Sequence, residues 1–521
     1  MLPFAWHPPV ELSPAEQRIA KRIRRAKLFL FLRLQRSEIF SDAFQEEMRA
    51  PYKDSTRGQP PVPPAQLDLA IILQAYMGVS DDEVIEATTM DLRWQLVLDC
   101  LGCEEPPFSK GTLVTHRQRM IEHGLDRRLI ERTVEVAEQK GGFGPRQLRA
   151  ALDSSPLWGA SRVEDTYNLL GHALRKVLSV VARQRGWELA DVANEAGVSK
   201  LAGSSLKAAL DLNWDDPGER QQALTVVLEM LNGVEQWLGE QPHLDTDSVV
   251  DETLAVAKQV RDQDVGVDED GKPILRQGVA KDRRIAVEDA DMRHGRKSRS
   301  QRIDGYKRHV LRDLDSGLVR AVGVTRANAP EATVTEDIMA DLAAQGVSLK
   351  ELHIDRAYLS SSLVRERPEG LDIYCRAWPV RNGDRFPKTA FQLDWEHGLI
   401  RCPNDIELPF EPGGTVHFPA GQCAVCSKRE QCTKSRKGRS VSIHPDERLL
   451  AELRKRQLTP AGRAKLRERV DVEHSLAHVG RWQGDRARYQ GIRKNVFDTR
   501  RTAVVHNLHV ISHLPAFAEA A

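Results

Sequence analysis

The sequence predicts an α/β fold: a mixed sheet flanked by helices, with a helical N-terminal domain, a helical insertion and a cysteine-bearing insertion. Three observations predict it. Residues 148–155 form a short strand-like run after a glycine-rich break, and from Ile303 onward short apolar runs alternate with turn residues. The long stretches on either side of that first run carry the apolar period of helices.

Taken in order, Ser13-Pro14-Ala15-Glu16 is a capping box with proline at the first helical position, opening a basic helix to about Arg33. Residues 51–64 hold five prolines and a glycine, so they read as a linker. Residues 65–77 put Leu67, Ile71 and Ala75 on one helical face closed by Gly78. Ser80-Asp81-Asp82-Glu83 caps a second helix, and Asp91-Leu92-Arg93-Trp94 opens a third apolar segment. Helix, glycine turn, helix is the outline of a DNA-reading helix-turn-helix, and equally of a plain helical packing domain.

After Gly141, Gly142 and Gly144, the run Leu148-Arg149-Ala150-Ala151-Leu152-Asp153-Ser154-Ser155 reads as a short strand ending in a carboxylate. Residues 160–262 look helical. Residues 306–311 and 318–324, joined by Asp315-Ser316-Gly317, make a hairpin-like pair. A helix over 331–342 ends at Gly346, and the strand 349–354 closes on Asp355. A helix over 461–479 completes the set. The expected domains are 1–64, a basic helix and linker; 65–140, helical and a candidate for DNA binding; and 141–515, a catalytic unit interrupted at 175–262 and 395–440.

With 76 basic and 75 acidic residues, the net charge of +1 does not announce a nucleic-acid partner, so charge placement has to. No apolar run approaches bilayer length; residues 28–32 are the best, flanked by arginine and lysine. Residues 1–10 lack the features of a secretory signal, and seven cysteines fit a reduced compartment. A cytoplasmic protein without a membrane partner is expected.

Asp153 and Asp355 stand at predicted strand ends and Glu473 on a late helix. Converging there, the three would hold two divalent cations about 4 Å apart beside a phosphodiester. Hard oxygen ligands select magnesium or manganese. Taken singly, an aspartate at a strand end is more often a turn or capping residue.

The surrounding residues carry a resemblance. Asp153-Ser154-Ser155 resembles the Asp-Ser-Thr first-carboxylate strand of bacterial insertion-sequence transposases with a DDE domain, and Asp355-Arg356-Ala357-Tyr358 resembles their Gly-Asp-x-Ala-Tyr motif. The stretch 292–297, followed by Gly305-Tyr306-Lys307, is similar to the segment before the family's second strand. Arg469 and Glu473 match the Arg and Glu of a Tyr-Arg-Glu-Lys helix signature, and residues 486–491 with His506-Asn507-Leu508 resemble its C-terminal block. Over about residues 60–515 the chain looks like the IS1182-type group, related to the IS4 and IS5 groups. It departs at Ser155, at Ile354 where glycine is usual, at Leu466 in the tyrosine position and at Gly480 in the lysine position, with Arg481 adjacent.

The resemblance implies a ribonuclease H-like core whose catalytic, metal-holding residues are Asp153, Asp355 and Glu473, with two Mg²⁺ or Mn²⁺ ions. It implies cleavage at element ends and strand transfer into target DNA. The partners would be double-stranded DNA, as terminal inverted repeats and target, and a second copy of the chain or more, in the bacterial nucleoid. An inactive or domesticated DNA-binding descendant is the alternative, and a purely hydrolytic nuclease would use the same ions.

Two basic tracts supply candidate phosphate contacts. The first, 283–309, contains Arg293, Arg296, Lys297, Arg299, Arg302, Lys307 and Arg308; the second, 481–501, contains Arg481, Arg486, Arg488, Arg493, Lys494, Arg500 and Arg501. Arg296, Lys297, Lys307, Arg469, Arg481, Arg486 and Arg488 are the contacts expected, against the alternative of solvated faces.

Cys402, Cys423, Cys426 and Cys432 follow one another with 20, two and five residues between them. Cys423-x-x-Cys426 is the bite for one tetrahedral structural zinc that the other two can complete, stapling an insertion poor in apolar residues. An iron–sulfur cluster has the same ligand count, and free or buried thiols are the bland reading. Lys428, Arg429, Lys434, Arg436, Lys437 and Arg439 make this insertion a further DNA-facing candidate. Cys100 and Cys103 read as a structural pair, and Cys375 as a buried thiol.

Overall fold

A computed structural model describes residues 1–54, 58–141, 147–241, 248–297 and 300–518. Gly142 and Gly144 of the expected break, and Arg299 of the first basic tract, lie outside the described residues.

The N-terminal third is helical: α1 (Pro14–Ala20), α2 (Lys27–Ile39), α3 (Asp42–Arg49), α4 (Pro64–Met77), α5 (Asp81–Met90), α6 (Leu92–Leu98), α7 (Lys110–His123) and α8 (Leu125–Gly141). The capping boxes at Ser13 and Ser80 are present, and Gly78 closes α4 in the left-handed conformation. The single basic helix expected to reach Arg33 is instead α1 and α2. Arg33, buried on α2, donates to Glu16 of α1 at 2.6 Å and to the carbonyls of Val10 and Glu11, which requires the chain to reverse between the two helices.

The one-faced pattern expected over 65–77 is also corrected. In α4, Leu69, Ala70, Ile72 and Leu73 are as buried as Leu67, Ile71 and Ala75, because a helix apolar all round sits inside a bundle. The α4–α5 pair has a helix-turn-helix outline, but α5 opens with Asp81, Asp82 and Glu83, charges that repel phosphate.

The central sheet has six strands: β1 (Gln147–Trp158), β2 (Arg293–Arg296), β3 (Arg302–Asp313), β4 (Val319–Arg326), β5 (Ser348–Ile354) and β6 (Asp372–Tyr374). β1 lies between β3, antiparallel to it, and β5, parallel to it; β6 extends the parallel side. β3 is long enough to pair both β2 and β4 along its other edge. β1 does not end at Ser155 as expected. β3 supports it as far as Trp158, while the β5 pairing stops at Leu152.

Helices cover both faces. Leu148, Ala150, Leu152, Leu352 and Ile354 pack against α9 (Thr335–Ala344) and the helix Glu447–Arg456. On the other face, Ala151, Val310 and Val322 join one apolar cluster with α11 (Val470–Gln483), α12 (Ile492–Ser512) and the N-terminal helices. The helix expected over 461–479 is broken at Arg469 into α10 (Pro460–Glu468) and α11. α10 is tied to the sheet by ions: Lys465 reaches Glu351 at 2.8 Å, and Glu468 pairs with Arg149. α11 turns away to cross β1 and β3.

The helical insertion spans Thr166–Arg185 to Ser248–Asp264 and has its own core, including Leu174, Val181, Val227 and Leu231. The cysteine-bearing stretch is a separate small β unit of a three-stranded and a two-stranded sheet. It is not poor in apolar residues as expected. Phe391, Ile400, Phe410, Phe418, Val441 and Ile443 form its core, most of them buried between very short strands where no periodicity is visible.

Candidate active site

The parallel register sets the site. Leu152 of β1 pairs with Ile354 of β5, so Asp153 and Asp355, one residue further on each strand, emerge side by side where the two strands part. Asp153 then continues in register opposite Val310 of β3. Asp355 leaves β5 and caps a short 3₁₀ turn, accepting from Arg356 N at 2.5 Å. Glu473 stands in the first turn of α11, whose apolar side, Val472, Leu476 and Val479, is buried towards the sheet. The three acids line one open cleft of about 720 Å³.

Arg469, at the α10–α11 break, joins two of them. Its guanidinium lies 2.5 Å from Asp153 and 2.9 Å from Glu473. Burial raises the Asp153 carboxyl above its ordinary range and Asp355 adds to this; Arg469 and Lys297 oppose it. Lys297 reaches over from the end of β2 and donates to the Ser154 carbonyl at 3.0 Å.

The expected cations divide. Lys297, Arg469 and Arg481 line the cleft, and Arg296 and Arg486 are exposed outside it. Lys307 and Arg488 are held elsewhere. Strand alternation turns Lys307 to the opposite face, where it donates to the Ala329 carbonyl and lies 3.6 Å from Glu331. Arg488 donates to the Val79 carbonyl beside the N-terminal helices. Arg493 and Arg500 likewise pair with Asp126. Arg308, placed in the first basic tract but not among the individual contacts expected, lines the cleft, as does Asp485, which the sequence reading did not name. The alternation of β3 was the signal for Arg308, since it faces the same way as its partner Ser155 and hence as Asp153.

Among the described residues, Glu351, His353 and Glu468 bring three ligand atoms within 4.8 Å of one another. Arg149 and Lys465 already bond this group, and hold Glu351 down at about 2 against the burial that would raise it. Both carboxylates already have cationic partners, and the group reads as the tie between α10 and the sheet.

Cys402, Cys423, Cys426 and Cys432 line one small pocket of about 20 Å³, near the room of one water. No three of these sulfurs lie within 4.8 Å of one another, so a shared ion would draw them together. Burial and then the neighbouring thiols push the Cys432 thiol up, against Arg439. Cys100 and Cys103 both face the Thr88 carbonyl, and burial with the Cys103 neighbour pushes Cys100 up to about 12. Cys375 is buried.

Residues 242–379 and 411–512 each match a family described as a transposase DDE domain, and residues 17–119 match a transposase domain (DUF772). The chain belongs to the DDE-type insertion-sequence transposases. The DUF772 match at the N-terminus is typical of the IS1182 group. The curled mixed sheet with helices on both faces is the ribonuclease H-like core of such a transposase. Asp355 and Glu473 fall inside the matched segments of the transposase, whereas Asp153 lies ahead of both, in the stretch between residues 119 and 242 that no family matches, and is tied to Asp355 by register. No curated protein and no solved structure matches the chain. Among the described residues, no helix is long and apolar enough to cross a membrane.

Proposed function

We propose that this transposase cuts DNA at the ends of its own element and joins them to target DNA, with Asp153, Asp355 and Glu473 holding two magnesium or manganese ions. The observation that carries the reading is the Leu152–Ile354 register, which leaves two aspartates adjacent at the mouth of a cleft that a helix-borne glutamate shares. All three donors are carboxylate oxygens, the donor set that hard divalent cations take. When bound, the ions would supply Lewis acidity at the attacking and leaving oxygens of a phosphodiester.

The chain's own groups do the rest. Arg469 pairs with both Asp153 and Glu473, and would be released towards a phosphate if metal ions took over those two acids. Lys297 and Arg481 extend positive charge along the cleft, where DNA backbone would lie. The openness of the cleft suits a duplex rather than a small molecule. Since two ends must be joined, the acting species on DNA is at least a dimer, in the bacterial cytoplasm. We further assign the four-cysteine pocket to one structural zinc, on the strength of four soft donors around a space that holds a single small ion.

The test is strand cleavage and joining, with magnesium, on a DNA fragment ending in the terminal repeats that flank the gene. Cleavage with joined products is expected. Cleavage without joining would make the protein a nuclease, and tight end binding with no cleavage would make it a DNA-binding descendant.

A further inference from the structure

We propose that Arg308 is a built-in clamp for a DNA backbone phosphate flanking the scissile bond, admitted into the cleft by the missing side chain of Gly480. This rests on the transposase reading above. Arg308 is only 4% exposed, yet among the described residues no carboxylate lies within salt-bridge distance of it. A cation kept out of water without an anion is costly, and the cost is tolerated where an anionic ligand completes the set.

The guanidinium is held, not loose. Its Nε donates to Ser155 Oγ at 2.7 Å, and its Nη1 donates to Gln483 Oε1 at 3.0 Å and to the Gly484 carbonyl at 2.8 Å. Nη2 has no hydrogen-bond partner among the described residues and lies over Gly480 on the wall of the cleft. Three neutral acceptors fix the plane and leave one donor edge for a ligand oxygen, the fork geometry that suits phosphate. Burial pulls the group below the usual arginine range, and Asp485 and Asp498, neither within salt-bridge distance, only oppose this.

Gly480 is the second observation. A Cβ there would sit 2.7 Å from Arg308 Nη2 and 3.3 Å from its Cζ, so any side chain would contest the same space. Glycine inside α11 weakens that helix, a cost that buys nothing for the helix itself. Position 480 is seven residues from Glu473, two turns along the same face and about 10 Å away. The clamp therefore grips a phosphate beside the cut rather than the reacting one, and it explains Ser155 and Gly480 together, as the hydroxyl that orients the arginine and the gap that admits it.

The experiment is the salt dependence of binding to a duplex ending in the element's terminal repeat, using the full chain and thermal melts to check folding. Arg308→Gln should make the slope of log affinity against log salt shallower by about 0.9, the share of one phosphate. Arg308→Lys should keep the wild-type slope with weaker affinity. Gly480→Ala, which favours the helix, should still lose the same share of slope. A wild-type slope in Arg308→Gln, an equal loss in Arg308→Lys, or a wild-type slope in Gly480→Ala would each overturn the clamp. Absence of salt-dependent binding in the wild-type protein would instead overturn the transposase reading.

Discussion

At the scale of single residues, charge and position separate the residues that chemistry needs from those that packing needs. Asp153→Asn, Asp355→Asn and Glu473→Gln keep shape and remove a hard ligand. Each should lower magnesium-dependent cleavage at least about 100-fold while end binding, carried by the basic residues, stays within a few-fold. Gel-shift titration beside a cleavage assay reads both, and retained cleavage in one variant would remove that residue from the site. His309 shows the opposite case. It is fully buried between Tyr358 and Thr325, at 2.8 and 2.9 Å, and burial first, then Lys307 and Lys297, depresses it to about 3. The fold therefore holds it neutral while the unfolded chain protonates it near its ordinary 6.5. Its contribution is complete above pH 6.5 and is lost as pH falls from there towards 3, by about 1.4 kcal/mol per pH unit. In urea titrations between pH 7 and 5, His309→Gln should flatten the pH dependence of stability by about one proton, and an unchanged slope would mean that His309 takes up its proton in the folded state.

At the scale of elements, legibility followed how local the cause was. The caps at Ser13 and Ser80, the glycine stop at Gly78 and the hairpin turn at Asp315-Ser316-Gly317 depend on neighbours a few residues away, and they were readable. The break at Arg469 was not, because it comes from α10 following Glu351 and Arg149 across the sheet while α11 follows β1 and β3. The same is true of the clamp. Arg308 is one of many basic residues in its tract, and only the pairing with Ser155 tells which of Lys307 and Arg308 faces the cleft. The cysteine unit lies between these limits. Its cysteine spacing was visible, but its apolar core was not, since strands of three residues carry no period. If one zinc holds that unit, the purified protein should carry about one zinc per chain. Cys423→Ser with Cys426→Ser should lose it, and limited proteolysis should then cut first within 386–443. A protein free of metal and equally resistant there would return the four thiols to ordinary packing.

At the scale of the molecule, the N-terminal helices are part of the same body as the sheet. One apolar cluster runs from Leu28, Ile71 and Trp94 through Leu129 and Val136 to Val310 and Val322 of the sheet and Phe497 and Val504 of α12. Polar ties cross the same boundary. Arg501 of α12 bonds Gln74 of α4 at 2.7 Å, Arg493 bonds the buried Asp126, and Asn507 joins Thr133 of α8 to the β4 backbone. A fragment beginning at residue 147 would keep every candidate catalytic residue, yet it would expose one face of α12 and leave Asp498 and Arg501 without part of their setting. Each Leu, Phe or Trp uncovered costs about 1.5–3 kcal/mol, so a handful equals the whole stability of a typical domain. That fragment should be aggregation-prone, bind a dye for exposed apolar surface and show no cooperative melt. If it instead melted sharply and cut DNA, the cluster would be two cores in contact, and the boundary near residue 140 would be a true domain limit.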